Sequence, residues 1–143
     1  MDHQKFRKTD IYDFLKEELG LSQLSPQSDI FGELGVRGDD FDELMEKYQK
    51  QFKVNMDAYL WYFHSDEEGL NFPGGLFFKP PYERVNRIPV NPELLVKFAQ
   101  SGTWQLDYPE HQIPKWRYDI LMNSLIGLIL FTFLIIGLIY NYL

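Results

Sequence analysis

Apolar residues recur at helical spacing in three places along this chain, and each place is bounded by residues that start or stop a helix. Ile11, Phe14, Leu15 and Leu19 share one face of a first helix, with Thr9 or Asp10 as its cap and Gly20 as its stop. Phe41, Leu44, Met45, Tyr48 and Phe52 form the stripe of a second helix that begins in a burst of acid, and Leu94, Leu95 and Phe98 form that of a later one. Asn91 is a natural cap for this last helix, Pro92 suits its first position and Gly102 ends it. The loop between the first two stripes is rich in Ser, Pro and Asp, and its Ile30, Phe31 and Leu34 pin it to a core.

The remaining segments carry weaker patterns. Val54 to Phe63 predicts a short third helix begun by Asp57, with a strand as the other reading of so brief an apolar run. HSDEEG at 64–69 reads as a solvated exit and FPGG at 72–75 as a turn. Residues 76–90 give two short extended runs divided by Pro80 and Pro81, and Trp104, Leu106 and Tyr108 alternate like an extended segment laid on the globule. A Pro-stiffened connector then leads from Tyr108 to Tyr118. This divides the chain into a helical region at 1–69, an extension at 70–117 with one helix and minor β structure, and a terminal segment at 118–143.

The terminal segment changes the class of protein. No charge occurs from Ile120 to Leu143, a run long enough at about 1.5 Å per residue to cross a hydrocarbon core of about 30 Å. It predicts a single C-terminal transmembrane helix, a tail anchor, with Trp116, Tyr118, Tyr140 and Tyr142 at the two interfaces. Lys115 and Arg117 precede it and nothing basic follows, which predicts a cytoplasmic N-terminal domain. The polar opening MDHQKFRKTD predicts no cleaved leader.

Charge then localises the interest. The net charge of −7 falls ahead of the apolar segment, and residues 29–68 carry eleven acids against four bases, which is the whole excess. Such a block repels nucleic acid and favours a basic protein partner. With zero cysteines there are no disulfides, thiolate ligands or cysteine nucleophiles, as suits a reducing compartment.

Residues 10–60 resemble an acyl carrier protein: a helix ending in LGL, the loop LSPQSDIFGELG, then DDFDELMEKYQKQFKV in place of that family's DSL-like turn and acidic second helix. With one additional residue in the preceding turn, Asp40 stands where the carrier serine would be. The resemblance therefore implies a carrier-like small helical bundle without a phosphopantetheine arm, because a carboxylate cannot be loaded as a serine hydroxyl can. Asp40 reads either as a helix cap, with Glu43 completing a capping box, or as a fixed negative charge in the phosphate's place. The whole soluble part is also similar to an uncharacterised bacterial family of carrier-like proteins, domain of unknown function 1493, through YLWYFHSDEEG at 59–69, RIPVNPELL at 87–95 and GTWQLDYPEH at 102–111. With the anchor, this implies the bacterial inner membrane.

Catalytic constellations are weak. His64 with Asp66, Glu67, Glu68 and His111 has no metal-ligand spacing, and Ser22, Ser25, Ser28, Ser65 and Ser101 lie outside any GxSxG context. Gly32, Gly35 and Gly38 follow no strand and sit among acids, which suits a tight loop more than a phosphate cradle. Tyr59, Trp61, Tyr62 and Trp104 read as core, with an acyl pocket as the other use. The expectation is a mainly α, non-enzymatic interaction module without cofactor or metal. Asp39, Asp40, Asp42, Glu43 and Glu46 meet a basic membrane-associated protein. The alternative is a working acyl carrier in lipid or polyketide metabolism, modified at another serine such as Ser28.

Overall fold

Helix α1, Lys8–Leu19, turns its stripe of Ile11, Phe14 and Leu15 fully inward and stops at Gly20, as the spacing predicts. Its start differs. The computed structural model, which describes residues 6–142, places Arg7 at the cap, and Asp10 bonds back to the Arg7 amide at 2.8 Å from the third helical position. Neither Thr9 nor Asp10 is the cap itself; Asp10 supplies the returning half of a capping box.

Helix α2, Gly38–Phe52, packs Phe41, Leu44, Met45, Tyr48 and Phe52 on α1 and on helix α4, Pro92–Ser101. Tyr48 donates its hydroxyl proton to the Leu95 carbonyl at 2.6 Å, which ties α2 to α4 through the core. Helix α4 is capped as expected, Asn91 accepting from the Leu94 amide at 2.8 Å, and it closes at Gly102. The loop from 21 to 37 is held by the Ile30 amide on the Val90 carbonyl at 3.0 Å and by a two-pronged Arg87–Asp29 pair at 3.1 and 2.5 Å.

Two expectations fail for a tertiary reason. The helix predicted at 54–63 does not form: Asn55 instead bridges to Thr103, its amide and carbonyl taken by Gly102 and Trp104 at 2.8 Å each, and the Asp57 amide folds back on the Asn55 side chain. The rest of the stretch forms a turn closed by the Tyr59 amide on the Met56 carbonyl at 2.9 Å and one 3-10 turn, Trp61–Phe63. Of the two extended runs expected at 76–90, the first gives way to helical turns and the second, although free of helix, pairs into no strand. Residues Gly74–Phe77 form a single-turn helix, α3, and Pro81–Glu83 a second 3-10 turn. Backbone groups that a sheet would have used go to other loops, as with Ile88 donating to Phe63 at 2.6 Å. The described residues thus form five helices and no strand, with β structure reduced to the one bridge.

Helix α5, Tyr118–Tyr142, has 25 residues, and its most apolar 18-residue stretch has a mean hydropathy of 2.4. Its apolar side chains are exposed on all sides, and it is long and apolar enough to cross a membrane.

Candidate functional site

The acidic helix begins on a contact that no local motif announces. The first amide of α2, that of Gly38, donates to Asp66 Oδ1 at 3.2 Å, twenty-eight residues along the chain, and Arg37 lies 3.9 Å from the other oxygen of that carboxylate. Gly38 takes a φ of +51°, and a Cβ on it would stand 2.0 Å from Cγ of Glu68, so only glycine fits there. The predicted Asp40–Glu43 capping box is therefore corrected. Asp40 is the third helical residue, exposed, and its side chain makes no hydrogen bond among the described residues, while Glu43 pairs with Lys47. Asp66→Ala should lower stability by about 1 kcal/mol, the worth of an N-terminal cap, and Asp40→Ala by less, as read by denaturant unfolding in detergent.

The five predicted partner-binding acids are all exposed, but they divide between two sides of the helix. Glu43 lies 2.9 Å from Lys47, which also reaches Glu18 at 2.7 Å, and the hydrogen bond from Lys47 lowers the Glu43 pKa. Glu46 pairs with Lys50 at 3.4 Å. Asp39, Asp40 and Asp42 have no ion pair among the described residues. Asp42 has its pKa raised, by partial burial first and then by the charges of Asp39, Glu46 and Glu67. Uncompensated negative potential is thus concentrated on the Asp39–Asp42 side. Asp40 and Glu43 instead edge a separate depression beside Glu18 and Lys47.

Asp39 opens onto a cleft of about 390 Å³, with Glu67 and Glu68 beside it and Ile120 and Asn123 of α5 also in its wall. That cleft exists because residues 64–71 fasten α2 to α5. Arg117 grips Glu67 through both terminal nitrogens at 2.5 and 2.8 Å and also holds Asp119, which is only 2% exposed. Asn71 donates to Asp119 at 2.8 Å and accepts from Asn123 at 2.8 Å, and Asn123 accepts from the Gly74 amide at 2.6 Å. The reading of HSDEEG as a solvated exit is overturned: Asp66 caps α2, Glu67 binds Arg117, and Glu68 packs on Gly38. The sequence did carry a signal for this joint. Asp119 and Asn123 are polar residues four apart at the head of an otherwise apolar helix, and such groups need partners.

His64, the centre of the candidate metal or acid–base cluster, points away from those acids into the core. Its Nδ1 meets the Ile88 carbonyl at 2.8 Å and its Nε2 the Tyr108 hydroxyl at 2.8 Å. That hydroxyl already accepts from Trp104 Nε1 at 2.8 Å and from the Leu60 amide at 3.2 Å, so its proton goes to Nε2 and the ring proton sits on Nδ1. Burial lowers the His64 pKa to about 4, and the ring is neutral at ordinary pH. Tyr59 stacks on it with centroids 5.2 Å apart, and Trp104 is fully buried beside both, so these two aromatics are core. His111 bonds to Tyr62 at 2.8 Å on the surface, and no serine hydroxyl bonds to a histidine among the described residues.

Fold and site together define a small helical domain that carries an exposed acidic helix and is braced through a polar joint to one long apolar helix. Residues 5–107 match a family described as a protein of unknown function, DUF1493, and the chain belongs to that family. Comparison with curated proteins and with solved structures gives no match.

Proposed function

We propose that this protein is a membrane-anchored, acyl-carrier-like interaction module that presents α2 to a basic, membrane-associated protein and carries no phosphopantetheine arm. In this reading α5 spans the bacterial inner membrane once and the N-terminal domain lies in the cytoplasm, on the side of Lys115 and Arg117. The observation that carries the proposal is the placement of the uncompensated acids. Asp39 shares a cleft with Ile120 and Asn123 of α5, so the negative surface stands at the foot of the membrane helix, where a partner in the same membrane would meet it. Confinement to one membrane raises the effective concentration of a contact made largely by exposed charge, which is weak in free solution.

The carrier likeness adds the role of Asp40. Freed of any capping bond, it is an exposed carboxylate in the first turn of α2, a fixed negative charge where a carrier would hold its phosphodiester. No catalysis is assigned: His64 is neutral, enclosed and committed on both ring nitrogens.

Charge reversal tests the proposal. Asp39→Lys with Asp42→Lys should abolish crosslinked capture of the partner from native membranes, and Glu43→Lys should weaken it less, because Lys47 already offsets that charge. Capture by the unaltered protein should fall as salt rises. If the double reversal leaves capture unchanged, the acidic face is not the docking surface. Intact mass of this protein itself, purified from its own host, reads the other class directly, since a phosphopantetheine increment on it would make it a working carrier.

A further inference from the structure

The segment 70–78, LNFPGGLFF, is the largest run of exposed apolar side chains outside α5 in the described residues. Leu70 is 87% exposed, Leu76 72% and Phe77 67%, with Phe72 and Phe78 also open. Left in water, such a patch is unfavourable at roughly 25 cal/mol per Å² of apolar surface, and a soluble domain seldom keeps one without a use. Its place in the fold says what covers it.

The segment lies against the first turns of α5. The Gly74 amide bonds to Asn123, a Cβ on Gly74 would stand 2.0 Å from the Asp119 carbonyl oxygen, and the Phe78 ring sits 5.7 Å from that of Tyr118. Counted from Ser124 to Tyr142, α5 extends about 28 Å at 1.5 Å per residue, close to the ~30 Å of a bilayer's hydrocarbon core. Asn123, satisfied by Gly74 and Asn71, therefore falls at the headgroup boundary, and α3 is fixed at that depth. Trp116 and Tyr118 are exposed at the same end of α5, where interfacial aromatics belong. The cations beside the patch, Lys79, Arg84 and Lys115, are exposed and have no ion pair among the described residues, which suits lipid phosphates.

We infer that residues 70–78 form a second membrane contact, a wedge whose Leu70, Leu76 and Phe77 enter the bilayer interface beside α5. The inference rests on α5 spanning the membrane. With the helix alone the domain could tilt and rotate about its stalk. The wedge, joined to α5 through Gly74, Asn71 and Asn123, holds the domain on the lipid surface and sets the height of the α2 cleft above it.

The absence of cysteine makes the test direct. Leu76→Cys and Phe77→Cys are spin-labelled singly in the full chain, reconstituted in vesicles of phosphatidylethanolamine and phosphatidylglycerol. Gln51→Cys on α2 is the water reference and Leu130→Cys in mid-α5 the bilayer reference. Both wedge labels should be relaxed by oxygen over a water-soluble nickel chelate, at a depth between the two references. Wedge labels as open to the chelate as Gln51→Cys, with Leu130→Cys buried, overturn the wedge and leave the anchor intact. An accessible Leu130→Cys overturns both. Spin–spin broadening at the wedge positions assigns the patch to a second copy of the chain and overturns the lipid contact. Either label site suffices, because both side chains are exposed and their replacement leaves the core untouched.

Discussion

Tyr108→Phe should lower the stability of the N-terminal domain by about 2–4 kcal/mol, although it removes a single oxygen. That oxygen accepts from both Trp104 Nε1 and the Leu60 amide, and its proton satisfies His64 Nε2. Without it three groups lose their partner in or near the core, and each buried donor left unsatisfied costs about 1–3 kcal/mol. The measurement is denaturant unfolding of the full chain in detergent, followed by tryptophan fluorescence. A loss well under 1 kcal/mol would show that the hydroxyl is not the hub of this network.

The same network makes stability pH-dependent with a defined sign. Because burial depresses the folded-state pKa of His64 from 6.5 to about 4, the unfolded chain takes up a proton in that window and the folded chain does not. Stability is full above pH ~6.5 and falls as the pH drops toward about 4, by roughly 3 kcal/mol over the window from this group alone. Below that, protonation is equal in both states and His64 contributes no further slope. His64→Gln should remove this part of the acid sensitivity. Tyr108→Phe should keep it, since burial is the main cause of the shift.

The second large effect is expected at the joint. Arg117→Ala leaves Asp119, 2% exposed, and Glu67 without their shared cation. Removing one partner of a fully buried pair costs about 3–5 kcal/mol, and because the Arg117 side chain is 26% exposed the expected loss is nearer 2–4 kcal/mol. Arg117→Lys should recover only part, since a lysine cannot hold two carboxylates with the same planar fork. The variant should also loosen the domain on its stalk. Spin labels at Gln51→Cys and Ser124→Cys should give a broader distance distribution in Arg117→Ala than in the parent. An unchanged distribution would mean that Asn71, Gly74 and Asn123 suffice to fix the two parts.

These effects fall on residues that sequence reasoning treated as peripheral. His64 and Asp66–Glu68 read as a solvated exit, Arg117 as a juxtamembrane charge, Tyr108 as one residue of an alternating run. Each has its partners 24 or more residues away along the chain, apart from contacts such as Trp104–Tyr108 and Arg117–Asp119. Polar loop residues with distant partners and polar loop residues in water have the same local pattern. The acidic helix was legible through its stripe and its charge, and so was the exposure of its five acids. Which of them are paired was not, because Lys47 serves Glu18 of another helix as well as Glu43, while Asp39, Asp40 and Asp42 are left without an ion pair among the described residues.

By itself the sequence determined the elements whose causes are local: α1, α2 and α4 by a 3.6-residue apolar period, Asn91 as a cap, Gly20 and Gly102 as stops, and α5 by the length of its uncharged run. Only the tertiary structure decided how α2 begins, why no helix forms at 54–63, and where the domain meets α5. In each of those places a backbone or side-chain polar group had to be satisfied by whatever the fold brought near, Asp66 for Gly38, Gly102 and Trp104 for Asn55, Arg117 for Asp119. The cost of leaving such groups unpaired in the interior outweighs the local preferences that a sequence displays.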